Sequence, residues 1–139
     1  MRPFHLAFPI TDIEATRRFY GEVLGCRIGR ESPGKWIDFD LFGHQMSAHL
    51  TGKPAGEPLT GSVAGDAVPI PHFGVILPME DFLALAKRLE ADPDTRWGMR
   101  PKLRFEGESG EQRTMFLFDP SGNALEFKAF ADDAQIFAV

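Results

Sequence analysis

Cysteine, tyrosine and tryptophan are scarce in this chain: Cys26 and Tyr20 each occur alone, with two tryptophans, in 139 residues. A lone cysteine forms no internal disulfide, which fits a reducing compartment and leads to the expectation of a cytoplasmic protein. No base adjoins Cys26, which argues against a nucleophile. No apolar run approaches the ~20 residues of a membrane span, and the opening M-R-P-F-H-L lacks a signal-peptide pattern. Basic residues are scattered through an acidic chain of net charge −5, so no footprint for nucleic acid exists. Neither a dinucleotide nor a Walker glycine pattern precedes a helix, and no G-x-S-x-G elbow occurs. What is present is 43% hydrophobic residues with thirteen phenylalanines, enough for one domain over 1–139 with its own core.

The hydrophobic pattern divides this domain into two similar modules. In the first, over about 3–51, residues 4–9 alternate as a strand. Thr11 and Glu14 then resemble a capping box for a helix ending at Gly25, and strands follow at 36–41 and 45–50. Residues 52–70, rich in glycine and proline, read as a linker long enough to form a lid or reach a second subunit. The second module, 71–130, repeats the order: a strand at 72–77, a helix at about 80–91 with Phe82, Leu85, Ala86 and Leu89 on one stripe, and strands at 113–118 and 124–130. The turn D-P-S-G-N joins the last two. Two β-α-β-β-β modules make an α+β protein with eight strands in an open, curved mixed sheet. About ten extra residues in the second module are expected within 101–112.

Ligand-type side chains recur with this repeat. His5 in F-H-L-A-F-P is echoed by His72 in P-H-F-G-V-I. His49 follows Phe39 by ten residues, as Glu126 follows Phe116. Strand parity puts Ala7, Gly74, Ser47 and Ala124 beside the four on their own faces, while bulky residues occupy the opposite faces. Small neighbours leave room for a pocket, and a cation would offset the cost of burying Glu126. His5, His49, His72 and Glu126 are therefore candidate ligands of a divalent metal: Fe(II), Mn(II), Ni(II), Zn(II) or Co(II) rather than Ca(II). Such a site favours an anionic or oxygen-chelating small molecule. If only His5, His72 and Glu126 bind, the set is a two-His-one-carboxylate triad. Lys128, two residues from Glu126, and Arg113 on the preceding strand are weaker candidates for substrate binding. His44 reads as a turn residue.

The segments F-H-L-A-F-P-I-T-D, R-R-F-Y-G-E-V-L-G, P-H-F-G-V and F-D-P-S-G-N-A-L-E-F resemble the vicinal oxygen chelate superfamily over about residues 3–130. Its members include glyoxalase I, extradiol dioxygenases, and fosfomycin and bleomycin resistance proteins. W-I-D-F-D-L-F-G-H-Q and R-F-E-G-E-S-G-E-Q are similar to a small one-domain branch described as predicted extradiol dioxygenases. The resemblance implies paired β-α-β-β-β modules around a divalent metal, often in a homodimer, with ligand positions at His5, His49, His72 and Glu126. Glyoxalase I enzymes usually carry glutamate where this chain has His49, and ring-cleavage dioxygenases match only His5, His72 and Glu126.

Three functions follow as expectations. The leading one is a dioxygenase using Fe(II), with His49 as a fourth ligand or a proton-transfer base and Glu126 in the catalytic set. A glyoxalase-like lyase or isomerase would instead use Zn, Ni or Mn, with Glu126 or His49 shuttling a proton. A non-catalytic drug-binding protein would hold no metal.

Overall fold

The computed structural model describes residues 1–54 and 56–139; Ala55, inside the expected linker, lies outside the described residues. Two compact units are present, residues 1–57 with 119–123, and residues 58–118 with 124–139.

The first unit contains β1 (His5–Ile10), α1 (Ile13–Arg17), a π-helical segment (Arg18–Val23), β2 (Arg27–Ser32), β3 (Trp36–Leu41) and β4 (His44–Leu50). Its sheet has the order β1-β4-β3-β2, with β1 parallel to β4 and the other pairs antiparallel. Alternation along β1, β3 and β4 sends Phe8, Ile10, Ile37, Phe39, Met46 and Ala48 into a core shared with Tyr20 and Leu24. Tyr20 stacks on Phe39 with centroids 5.1 Å apart. Burying a side chain of this size contributes about 1.5–3 kcal/mol. The helix cap differs from expectation. Asp12, not Thr11, is the N-cap, accepting from Ala15 N–H at 2.8 Å, while the Thr11 N–H donates to Ser121 Oγ at 3.0 Å. The continuous α-helix expected up to Leu24 becomes π-helical from Arg18, and Gly25 ends it at φ +75°.

The turn 119–123 belongs to this unit. Asp119 is fully buried and accepts from Ser121 N–H, Asn123 N–H, Asn123 Nδ2 and the Tyr20 hydroxyl at 2.8–3.0 Å. Asn123 Nδ2 also donates to the Pro9 carbonyl at 2.9 Å. Gly122, at φ +88°, supplies the left-handed conformation that the turn needs. Burial raises the Asp119 carboxyl above its ordinary value despite these donors, and it raises the Tyr20 hydroxyl well above its own.

The second unit repeats the layout with β7 (Phe73–Ile76), α2 (Met79–Ala91), β8 (Trp97–Arg104), β9 (Gln112–Phe118) and β10 (Ala124–Phe130). Its sheet order is β7-β10-β9-β8, with β7 parallel to β10. Phe82, Leu85, Ala86 and Leu89 of α2 are buried, as their spacing predicts, and α2 packs on β10, whose Leu125, Phe127 and Ala129 are buried. Each module is thus the β-α-β-β-β unit expected, in an α+β fold with open mixed sheets.

Two differences concern the connections. The stretch read as a linker folds in part: β5 (Leu59–Val63) and β6 (Asp66–Ile70) form a hairpin, giving ten strands among the described residues rather than the eight expected. Alternation is weak there because glycine and proline interrupt it. Asp66 ties the hairpin to β8 through Lys102 Nζ at 2.8 Å and Arg104 Nη2 at 3.2 Å. The expected insertion at 101–112 is partly strand, since β8 runs to Arg104.

Asp119→Ala removes the shared acceptor of four buried donors and is expected to cost about 3–5 kcal/mol in urea unfolding. Tyr20→Phe, which removes one bond and keeps the ring, is expected to cost about 1 kcal/mol.

Candidate metal centre

The best-formed polar group in the second unit is built on β7, β9 and β10. His72 precedes β7, and Glu126 lies on β10 opposite Gly74, with Phe116 facing it from β9. His72 Nε2 lies 3.1 Å from Glu126 Oε2. Glu126 is 7% exposed. Its Oε1 accepts from Thr114 Oγ1 at 2.7 Å, and Lys128 Nζ is 3.4 Å from Oε2. Sequence parity therefore placed Lys128 correctly on the face of Glu126. Thr114, which that reading missed, shares this face through its pairing with Lys128. Its signal was a buried hydroxyl in an otherwise apolar run.

The backbone dictates the small residue beside Glu126. A Cβ on Gly74 would overlap the carbonyl oxygen of Glu126, so β7 approaches β10 more closely than any side chain permits. His72 is held by three contacts. Its Nδ1 is 2.6 Å from the Pro69 carbonyl, its Nε2 meets Glu126, and its ring meets Phe116 edge to face at 5.0 Å.

These residues fit a divalent ion. The Pro69 carbonyl only accepts, so Nδ1 carries a proton; Nε2 donates to Glu126 when the ring is charged, and its lone pair would face a bound ion when the ring is neutral. Two donors bound to one ion at about 2.1 Å in a right-angled arrangement lie about 3 Å apart, the separation found here. Among the described residues, however, no group of three or more His, Cys, Asp or Glu side chains converges.

Electrostatics favour the charged pair. The bond to the Glu126 carboxylate, opposed by burial and aided by Pro69, raises His72 above its ordinary value of 6.5. Burial alone would raise Glu126. The bonds from His72 and Thr114 and the nearby Lys128 ammonium outweigh it, holding Glu126 below its ordinary 4.5.

The first unit places the other candidates differently. On β1 and β4, His5 faces Gln45, Ala7 faces Ser47 and Pro9 faces His49. Glu126 faces Gly74, the second residue after His72. The matching position after His5 is Ala7, so the counterpart of Glu126 in the repeat is Ser47. His49 corresponds instead to Lys128, which faces Ile76. The echo that paired His49 with Glu126 is thus two residues out of register. It matched Phe39 to Phe116, yet Phe39 faces Met46 on the core side, while Phe116 faces Glu126. His5 and His49 share a sheet face but lie four residues apart along it, about 13 Å at ~3.3 Å per residue. Both are exposed.

Two further corrections follow from pairing. Arg113 faces Ala129 and Leu103, on the face opposite Glu126, and its side chain is exposed. It is thus not a neighbour of the His72–Glu126 pair. His44, read as a turn residue, instead opens β4, where it pairs with Leu41 and its Nδ1 accepts from Phe4 N–H at 3.0 Å.

The pair predicts a pH dependence of folding. The raised His72 value contributes stability that is complete below 6.5 and is lost as the pH rises through that raised value. The lowered Glu126 value contributes stability present above 4.5 and lost as the pH falls through its lowered value. Chelator-treated protein should therefore lose unfolding free energy as the pH rises above about 6.5, and His72→Gln should flatten that limb. Gly74→Ala, by forcing the strands apart, is expected to destabilise by about 1–3 kcal/mol in the same assay.

Comparison with known proteins identifies the family and the fold. A family model described as glyoxalase/bleomycin resistance protein/dioxygenase superfamily matches residues 2–127. A glyoxalase/bleomycin resistance protein/dioxygenase from Alicyclobacillus acidocaldarius is 33% identical, with a TM-score of 0.81 over 97% of this chain and 96% of that one. Two more distant structures share the fold. Lactoylglutathione lyase from Agrobacterium tumefaciens is 17% identical, with a TM-score of 0.64 over 91% of each chain. The fosfomycin resistance protein FosX from Mesorhizobium loti is 17% identical, with a TM-score of 0.65 over 90% of this chain and 88% of that one. No curated protein matches the sequence. With nearly its whole length covered by the family model, the chain belongs to the glyoxalase/bleomycin resistance protein/dioxygenase superfamily, the vicinal oxygen chelate family.

Proposed function

We propose that the chain is a divalent-metal-dependent enzyme of the ring-cleavage dioxygenase type, acting on a small substrate with neighbouring oxygens. The observation that carries this reading is the buried His72–Glu126 pair, oriented by Pro69 and Thr114. His72 and Glu126 would hold the ion, with His5 proposed as the second imidazole. Because Ser47 occupies the position matching Glu126, the proposed set is two imidazoles and one carboxylate, the donors of non-haem Fe(II) oxygenases. Fe(II) is therefore favoured over Zn(II), Ni(II) or Mn(II). The bound ion would supply Lewis acidity and anchor the substrate oxygens.

The remaining residues act around that centre. The Pro69 carbonyl holds the imidazole tautomer that leaves Nε2 free, and Thr114 holds Oε1 so that Oε2 stays directed at His72. Lys128 places an ammonium beside that carboxylate, where it can orient an anionic substrate oxygen. His49, exposed and at the position of Lys128, is proposed to transfer protons rather than to bind metal. A glyoxalase-like lyase is the second reading, favoured by the contact between Lys128 and Glu126, a pair able to pass a proton. Work in the cytoplasm as a homodimer belongs to the same proposal and rests on the lone cysteine and the family resemblance.

Metal analysis of protein purified without added metal, then anaerobic Fe(II) loading and an oxygen-uptake screen with catechols, tests the reading. Wild type is expected to bind one ion per chain and consume oxygen. His72→Ala and Glu126→Ala should each lower metal affinity more than about tenfold, whereas His49→Ala should leave it unchanged. Unchanged affinity in His72→Ala would remove the site. Bound Zn, Ni or Mn without oxygen uptake would favour the lyase, and no metal under any condition a drug-binding protein.

A further inference from the structure

The face of the first sheet that carries His5 holds a second buried carboxylate with no role in the reading above. Asp38, on β3, is 6% exposed. Ser47 Oγ donates to its Oδ1 at 2.6 Å, and Gln45 Nε2 is 3.4 Å from its Oδ2. Glu126 is comparably buried but has an imidazole and an ammonium beside it. Among the described residues no cation forms an ion pair with Asp38; Arg27 is engaged by Asp40 at 3.2 Å. A carboxylate kept from water by neutral donors alone is costly, and its four lone-pair sites are only half used.

Asp38 also faces open space. With His5, Gln45, Arg27, Arg30 and His44 it lines a cavity of about 510 Å³ in the first unit. Gly29 lies beside it on β2, where an added Cβ would come within 3.2 Å of Asp38 Cβ. The absence of a side chain there keeps the approach to the carboxylate clear. The arginines at the cavity are exposed, so the acceptor lies deeper than the cations.

We propose that Asp38 is a specificity-determining residue, accepting a hydrogen bond from a hydroxyl or ammonium group of a small molecule bound in this cavity. The proposal rests on the function above only in taking the ligand to be a small substrate with neighbouring oxygens. Ser47 holds the carboxylate in place, and Gln45 completes the floor. The substrate is then a vicinal-oxygen compound bearing a donor on its side chain, rather than a purely apolar or carboxylate-bearing one.

Titration calorimetry of metal-loaded protein with four catechols tests this. Dopamine presents an ammonium, hydroxytyrosol a hydroxyl, 4-ethylcatechol neither, and 3,4-dihydroxyphenylacetate a carboxylate. One or both donor-bearing probes are expected to bind at least about tenfold more tightly than 4-ethylcatechol, as one charge-assisted hydrogen bond provides, with the carboxylate weakest. Which of the two gains identifies the donor. Asp38→Asn should erase the difference while leaving metal content unchanged. Gly29→Ala, which keeps the Asp38 carboxyl group but crowds its Cβ at 3.2 Å, should weaken the donor-bearing probes selectively and gives a second test should the Asp38 variant misfold. Equal affinity for hydroxytyrosol, dopamine and 4-ethylcatechol in wild type, or an undiminished preference in Asp38→Asn, would overturn the proposal. Donor preference dependent on Asp38 in protein that takes up no metal would uphold the cavity and overturn the metal reading. No binding of any catechol would overturn the substrate assignment itself.

Discussion

Asp119 is the group on which the turn between β9 and β10 depends. A carboxylate with no exposed surface is tolerated because two backbone N–H groups, one side-chain amide and one phenol surround it. Each partner has a second task. Ser121 accepts from Thr11 N–H, which would otherwise be expected at a helix cap, and Asn123 donates to Pro9 at the end of β1. Tyr20 stacks on Phe39 and tilts against Phe8, joining the turn to the first core. A five-residue turn from late in the chain is thereby part of the unit formed by residues 1–57. The D-P-S-G-N pattern is distinctive because each residue type meets a specific need: an acceptor, a fixed φ, a small hydroxyl, a left-handed backbone and an amide.

Three buried carboxylates are stabilised in three ways, and the differences separate structure from chemistry. Asp119 is surrounded by donors with no remaining access, and burial raises its value. Glu126 accepts from the His72 imidazole and the Thr114 hydroxyl beside the Lys128 ammonium, and its value is lowered. Asp38 has a hydroxyl, a distant amide and a cavity. Only the last two lie where a ligand or an ion can complete the set. Desolvation makes each incomplete group expensive, which gives a bound partner its free energy.

The repeat is real in topology and inexact in chemistry. Both modules put the helix after the first strand, pair the first strand parallel to the fourth, and hydrogen-bond a hydroxyl to a carboxylate on the inner strands. In the second module the carboxylate is on the fourth strand, Glu126, and the hydroxyl on the third, Thr114. In the first the order is exchanged, with Asp38 on the third and Ser47 on the fourth. A metal-type pair and a donor-binding acceptor thus arise from one framework by moving the charge one strand sideways.

Local pattern in the sequence was sufficient for the elements whose determinants are local. The stripe of α2, the alternation at 113–118 and 124–130, the Gly25 stop and the 119–123 turn all follow from spacing and backbone preference. The family resemblance was legible in short contiguous motifs, and the His72 and Glu126 side chains, whose ligand role is proposed, stand within those motifs. Pairing over long separations was not legible. Ser47 and His49 have the same parity, so alternation assigns both to one face and cannot say which of them matches Glu126. The parallel register with β1, some forty residues earlier in the chain, decides that. Arg113 was misplaced because parity within one strand says nothing about the facing strand until their pairing is known. The β5–β6 hairpin and the Asp12 cap were likewise set by contacts with distant residues, Lys102 and Arg104 for the hairpin and Ser121 for Thr11. Periodicity determines which side chains share a face; tertiary packing alone determines which of them meet.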